Sequence, residues 1–312
     1  MKTKQLPLII AAIMFITSCV YQRADMKADM SVRNPKFNHD ESPIVMFDSG
    51  HDNFHDIHST YEPFATLLKN DGISMGTHKG LFTAKSLRGT DLLIIANAMA
   101  GKQKEVGASS AFSNTEIRVL AEWIQKGGSL LLIADHDPFG SASADLAKFF
   151  GVGMQSVWTV DTLRVNSEIG RNTWLEYSPD NGGFGQHSIL QGRSHESSIN
   201  RILTFTGQSL SYDSTWTSIL RLSQSAQNYY TRGDASDASI DSSTYFSVPG
   251  QSQLVARQYG EGKIVIAGEA AMFTAQEVRI FFKTIHAGFN FSGYDNKELV
   301  LNIIHWLLDA KD

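Results

Sequence analysis

Residues 51 to 58 read His-Asp-Asn-Phe-His-Asp-Ile-His and follow directly on the apolar run Pro43 to Phe47 and on Asp48-Ser49-Gly50. A second cluster, Asp135-His136-Asp137, follows Leu130 to Ala134, Asn97 follows Leu92 to Ala96, and Gly268-Glu269 follows Ile264 to Ala267. Imidazole beside carboxylate supports two chemistries. A His-carboxylate pair can act as general acid and base, and mixed nitrogen and oxygen donors suit zinc or another first-row ion such as manganese. The first reading takes His51, His136, Asp135 and Glu269 as the catalytic set, with Asp48, Asn53, His55, Asn97 and Asp137 meeting the ligand. The second gathers His51, His55, His136 and Asp48 around a metal, although no HExxH or similar fixed-spacing motif is present. His-Asp pairs also serve as locks beneath loops, and His58 reads as a surface residue ahead of a helix.

The elements that must position these residues are short runs rich in Ile, Leu and Val. Ile44 to Phe47, Leu92 to Ala96, Leu130 to Ala134 and Ile264 to Ala267 have the continuous apolar character of strands buried on both faces of a parallel sheet, and Ile73 to Thr77 is a weaker fifth. Between them lie helical patterns. Ser59 with Glu62 and Ser113 with Glu116 have capping-box spacing, and a last helix starts near Asp295 and runs to Asp309. Ligands of such sheets bind beyond the carboxyl ends of the strands, where the polar residues fall. From 153 to 260 the pattern turns to alternating, Ser/Thr-rich stretches, which predict a β-rich insertion with a loop at Asp234 to Ser243. Its aromatics, Trp158, Trp174, Tyr229, Tyr230 and Tyr245, could stack on a sugar or simply fill hairpin cores.

The N-terminus speaks to location. Lys2 and Lys4 precede an apolar stretch from Leu6 to Ile16, too short to span a bilayer, and Ile16-Thr17-Ser18-Cys19 resembles a bacterial lipobox. Cys19 is the only cysteine, so no internal disulfide can form, and lipidation accounts for the thiol. The expected organisation is a signal peptide over 1–19, a polar tether over 20–42 and an α/β domain over 43–312, held by its lipid in the cell envelope. A net charge of -5 without any basic run argues against nucleic acid as a partner.

Ser49 after the first strand, with Asn97 after the third, partly resembles the blocks of SGNH hydrolases, which makes a serine esterase one alternative. A wider resemblance rests on FDSGHDNFH (47 to 55), LLIIANA (92 to 98), GGSLLLIADHDPF (127 to 139), HSILQG (187 to 192), GKIVIAGEAAMF (262 to 273) and DNKELVLNIIHWL (295 to 307). These resemble a bacterial domain family of unknown function in the class I glutamine-amidotransferase-like superfamily, related to trehalose-utilisation-type domains. That resemblance implies a mostly parallel, flavodoxin-like sheet with helices on both faces. It does not imply amidotransferase activity, because Asp135-His136-Asp137 stands where those enzymes carry a nucleophilic cysteine. The expectation is a pocket that binds, and in its enzymatic form hydrolyses, a small polar or carbohydrate-like ligand; the alternative is a non-catalytic ligand- or protein-binding module.

Overall fold

Five strands lie parallel at the heart of the molecule. In the computed structural model, which describes residues 21–38, 42–99, 101, 110–232, 239–280 and 283–309, a seven-stranded sheet runs in the order Thr217–Arg221, Ser252–Tyr259, Gly262–Ala267, Ser129–Ile133, Leu92–Ala96, Ile44–Asp48, Ser74–His78. The last five are mutually parallel and the first two antiparallel to their neighbours. Every residue of Leu92–Ala96 and of Ser129–Ile133 is buried, which explains why these segments are apolar at consecutive positions. Alternation along the strands divides the core: Leu92, Ile94 and Ala96 join one apolar cluster and Leu93 and Ile95 the other. Truncating a side chain such as Ile94 to alanine would cost about 2–5 kcal/mol.

The flavodoxin-like expectation does not hold. Among the described residues strand outweighs helix, several sheets are antiparallel, and there are five helices, one of them only the four residues Ser188–Gln191. The reason lies in residues 153–260, which the sequence marked as a β-rich insertion. Thr217–Arg221 and Ser252–Tyr259 from that stretch extend the central sheet. Val157–Asp161, Ala226–Arg232 and Ser239–Ser247 form a sheet of their own, and Trp174–Tyr177 pairs with Ile202–Phe205. Of the expected loop Asp234 to Ser243, residues 234–238 lie outside the described residues, while 239–243 belong to a strand.

Helix starts were only partly legible. Asn114–Gln125 carries the full capping box, Ser113 with Glu116, and presents Ile117, Leu120 and Ile124 to the core. Glu62–Asn70 starts at Tyr61 without a side-chain cap, because Ser59 donates to the carbonyl of Asp56 instead of to the helix. Asn296–Leu308 also lacks one: Asp295 accepts from the amides of Asn200 and Arg201.

The expected tether is part of the fold. Tyr21–Ala24 pairs antiparallel with Ala275–Ile280, which pairs in turn with Lys283–Gly288. Ala28, Met30, Val32 and Phe37 then pack on the larger core cluster, so the scattered apolar residues of a segment that looks polar overall have a burial role. Residues 1–20, with the expected signal peptide and Cys19, lie outside the described residues. Among the described residues no helix is long and apolar enough to cross a membrane.

Candidate functional site

The carboxyl ends of the parallel strands hold the predicted residues in two separate groups. In the first, His51 is buried in the loop after Ile44–Asp48. Its Nδ1 donates to both carboxylate oxygens of Asp48 at 2.9 Å, and its Nε2 donates to Glu116 Oε1 at 2.9 Å. A carboxylate on each ring nitrogen requires both to donate, which describes an imidazolium. Burial works to lower the His51 pKa, but the hydrogen bonds and charges of Asp48 and then Glu116 outweigh it and hold the pKa raised. Phe82 and Phe112 cover the ring at centroid distances of 4.5 and 4.8 Å.

Glu116 is engaged on every side. It accepts from the amides of Phe82 and Ser113 and from the Ser113 hydroxyl as well as from His51. Burial pushes its pKa up, yet these donors together leave it lowered. Asn53 completes the group: its Nδ2 donates to Asp48 at 3.0 Å and its Oδ1 accepts from the His51 amide. This is a clip between the first-strand loop and the start of Asn114–Gln125, with no ring nitrogen left for chemistry. Sequence reading recognised Glu116 only as a helix cap.

The second group centres on Asp135 and Glu269. Glu269 is fully buried and accepts from the amides of Ala271 at 2.7 Å and Met272 at 2.8 Å, the start of the turn Ala271–Phe273. Burial, then the charge of Asp135, pushes its pKa well up against those amides. Asp135 is half-buried, and burial raises its pKa while the neighbouring His136 works to lower it. His136 is also half-buried; its ring lies on Trp158 at 4.5 Å and its Nδ1 donates to the Asp137 carbonyl at 2.9 Å. The indole Nε1 of Trp158 is buried and has no hydrogen-bond partner among the described residues. Asp137 is buried.

Two residues stitch this edge together. Asn97, in the left-handed region at φ +48°, accepts from the Asp135 amide through Oδ1 and from the Phe54 amide through its carbonyl. Gln208, unnoticed in the sequence, is fully buried and donates from Nε2 to the carbonyls of Ala134 and Asp135, each at 2.9 Å. Beside it a Cβ on Gly207 would sit 2.4 Å from the Gly268 carbonyl and 2.8 Å from Glu269 Cβ, so only glycine allows this approach. Thr206, just before it, adopts φ +87°, a conformation a β-branched residue rarely takes.

The metal reading does not survive this geometry. His51 is saturated by carboxylates, and His55 is buried with Nδ1 on the Thr60 hydroxyl at 2.7 Å, its pKa lowered to about 3 by burial. His136 Nδ1 faces a carbonyl, and among the described residues no three His, Cys, Asp or Glu side chains are placed to hold an ion. The donor set therefore does not fit zinc or manganese. The serine-esterase reading fails on the same ground. Ser49 Oγ donates to Asp56 Oδ2 at 3.0 Å, and His55, which has the D-x-x-H spacing from Asp52, is held by Thr60. Ser49, Asp52, Asn53, His55, Asp56 and Met99 line a cavity of about 400 Å³.

The aromatics divide likewise. Trp174 is buried against Phe205 and fills its strand pair, whereas Tyr229 stacks across a strand pair on an exposed Tyr245, and Tyr230 is exposed as well. Trp158 alone of the five meets the Asp135 group. Phe54, exposed, lies 5.6 Å from Phe139, the first residue of the helix that follows Asp135-His136-Asp137-Pro138.

No protein-family model and no curated protein matches the chain. Among solved structures, the mmIFT52 N-terminal domain superposes with a TM-score of 0.58 at 14% identity over 86% of this chain and 99% of that one. Cytoplasmic Protein STM3548 from Salmonella typhimurium gives 0.44 at 12% identity over 86% of this chain and 100% of that one. A β-galactosidase from Rahnella sp. R3 gives 0.40 at 10% identity over 86% of this chain and 32% of that one. At such identities the first likeness is one of fold alone, and the two lower scores carry no argument.

Proposed function

We propose that this is a lipid-anchored protein of the bacterial cell envelope that binds a small, hydroxyl-rich, carbohydrate-like ligand at the carboxyl edge of its central sheet. The observation that carries the reading is the half-buried Asp135 and His136 with Trp158 lying on the imidazole, and a buried Glu269 close enough to feel the Asp135 charge. A carboxyl that keeps its proton can both donate to and accept from hydroxyls, and aromatic faces suit the apolar faces of sugars. Asn97 and Gln208 tie Asp135 to the strand ends, so the group is held before any ligand arrives. The anchor is supported by the Ile16-Thr17-Ser18-Cys19 sequence and the absence of any other cysteine.

Titration calorimetry against a panel of neutral oligosaccharides and cell-wall glycan fragments tests the reading. Binding by one class, weakened about tenfold or more in Asp135→Asn and Trp158→Ala, is the expected result. No heat from any of them at millimolar concentration, with folded protein, sinks it. Hydrolysis is the second reading: the half-buried Asp135, whose carboxyl burial pushes above its ordinary range and which stands beside His136, would protonate a leaving oxygen as general acid. Assaying the same mixtures for cleaved product separates turnover from binding.

A further inference from the structure

The loop that follows Ile44–Asp48 borders a polar space beside the His51 clip. Its cavity of about 400 Å³ is lined by two carboxylates, Asp52 and Asp56, and among the described residues by no lysine or arginine. That volume lies in the usual range for small-ligand sites. Neither carboxylate has a cationic partner among the described residues, and Asp52 is exposed. Asp56 is fixed by the Ser49 hydroxyl on one oxygen and by the His58 amide, at 2.8 Å, on the other, which leaves each oxygen a further lone pair. The His51 imidazolium in the same loop is already committed to Asp48 and Glu116.

Acidic side chains on a loop mean little by themselves; His55 supplies an independent observation. It is only 3% exposed, borders this cavity and holds the Thr60 hydroxyl with Nδ1. Its Nε2 has no partner among the described residues and is not sealed from solvent, so the little of the ring that shows opens on the cavity. Burial lowers its pKa to about 3, which keeps the imidazole neutral at neutral pH. With Nδ1–H donated to Thr60, Nε2 is a lone-pair acceptor. An acceptor set into a nearly closed wall without a protein donor is placed for the donor of a ligand.

These acceptors select the shape of the cation. A bare metal ion does not fit, because among the described residues no three His, Cys, Asp or Glu side chains come close enough to hold one. An organic ammonium is larger and fans three N–H donors outward, so it bridges acceptors that an ion cannot. Nor can the site neutralise itself, since burial opposes a proton on His55.

We infer that this cavity binds a primary ammonium group, which donates to Asp52, Asp56 and Nε2 of His55. It is a site distinct from the one proposed for sugar hydroxyls at Asp135 and does not depend on it. Phe54 holds the loop for it: its amide donates to the Asn97 carbonyl at 2.9 Å and its ring lies 5.1 Å from that of His55.

The full-length chain in a neutral detergent, carrying isotope-labelled histidine, is titrated with ethylammonium chloride while the ring nitrogens are followed by NMR. Tetraethylammonium chloride, which has the charge but no N–H, and sodium chloride at equal ionic strength are the controls. Ethylammonium should move the His55 Nε2 resonance saturably at millimolar concentration, the controls should not, and Asp52→Asn should weaken binding about tenfold. That variant should fold as wild type, because the Asp52 side chain is exposed and asparagine accepts its φ of +47°. Absence of a saturable shift up to about 0.1 M ethylammonium overturns the inference. Equal shifts with tetraethylammonium or sodium overturn it too, as an effect of charge alone. So does ethylammonium binding that is unchanged in Asp52→Asn.

Discussion

His51 and His136 each follow a strand of the central sheet, each stand beside an aspartate, and look equivalent in the sequence; the folded protein uses them in opposite ways. His51 is buried, with a carboxylate on either nitrogen and the rings of Phe82 and Phe112 packed against it. His136 is half-buried, keeps one nitrogen on a carbonyl and offers a ring face to Trp158. The difference teaches that residue type at a strand end identifies a polar group, whereas saturation of its donors and acceptors decides between a lock and a site. The lock contributes to stability and the half-exposed group remains free to meet a ligand.

The sharpest break of this comparison is to truncate both. His51→Ala leaves Asp48 and Glu116 buried without their shared cation and should cost about 3–5 kcal/mol in urea unfolding. His136→Ala, which strips only a half-exposed ring, should stay within about 1 kcal/mol of wild type. Equal losses would erase the distinction. The penalty also has a pH window. His51, with a raised pKa, contributes stability in full below its ordinary value of 6.5, and that contribution is lost as pH rises through the raised folded value. Glu116, with a lowered pKa, contributes above its ordinary 4.5 and loses this as pH falls. The gap between wild type and His51→Ala should therefore be widest between these values and narrow on either side.

Next in size is Glu116→Gln. The amide keeps one acceptor but turns a donor toward the Ser113 amide or His51, so about 1–3 kcal/mol should be lost. Because Glu116 also caps helix Asn114–Gln125, hydrogen exchange should quicken in that helix's first turn while the Asp135 edge stays protected. Equal loosening of both would mean that the two groups form one network.

Much of this was legible in the chain. The buried runs Leu92 to Ala96 and Leu130 to Ala134 announce themselves by continuous apolar character, and the Ser113–Glu116 box by its spacing. What stayed hidden has a common physical cause, pairing across long sequence separations. Glu116 and His51 stand 65 residues apart, and Gln208 meets Ala134 from 74 residues away. Nothing local marks Gln208 as the residue that holds Asp135. The fold class was misjudged for a related reason: antiparallel pairing of Ser/Thr-rich stretches has only a weak period-2 signal, and Tyr21–Ala24 needs a partner more than 250 positions away to become a strand. Of the residues expected in the site, Asp135, His136, Glu269 and Asn97 do come together, while His51, Asp48 and Asn53 form the clip.

The smallest expected effect is on the site itself. Asp135→Asn should change stability by less than about 1 kcal/mol well below the ordinary carboxyl value of 3.8, where a pKa raised by burial keeps the wild-type side chain neutral in the fold and in the unfolded chain alike. Above that the two must diverge. An acid whose pKa is raised by folding holds its proton in the native state after the unfolded chain has released it, so wild-type stability falls as pH climbs from the ordinary value of 3.8 toward the raised one. Asparagine cannot ionise, and its loss also removes the Asp135 charge that helps push up Glu269, so the variant should run flatter over that range. Urea midpoints from about pH 4 to pH 8 measure this directly. Parallel curves would mean that Asp135 ionises freely, which would leave the hydroxyl-binding site without its neutral carboxyl and the hydrolytic reading without its acid.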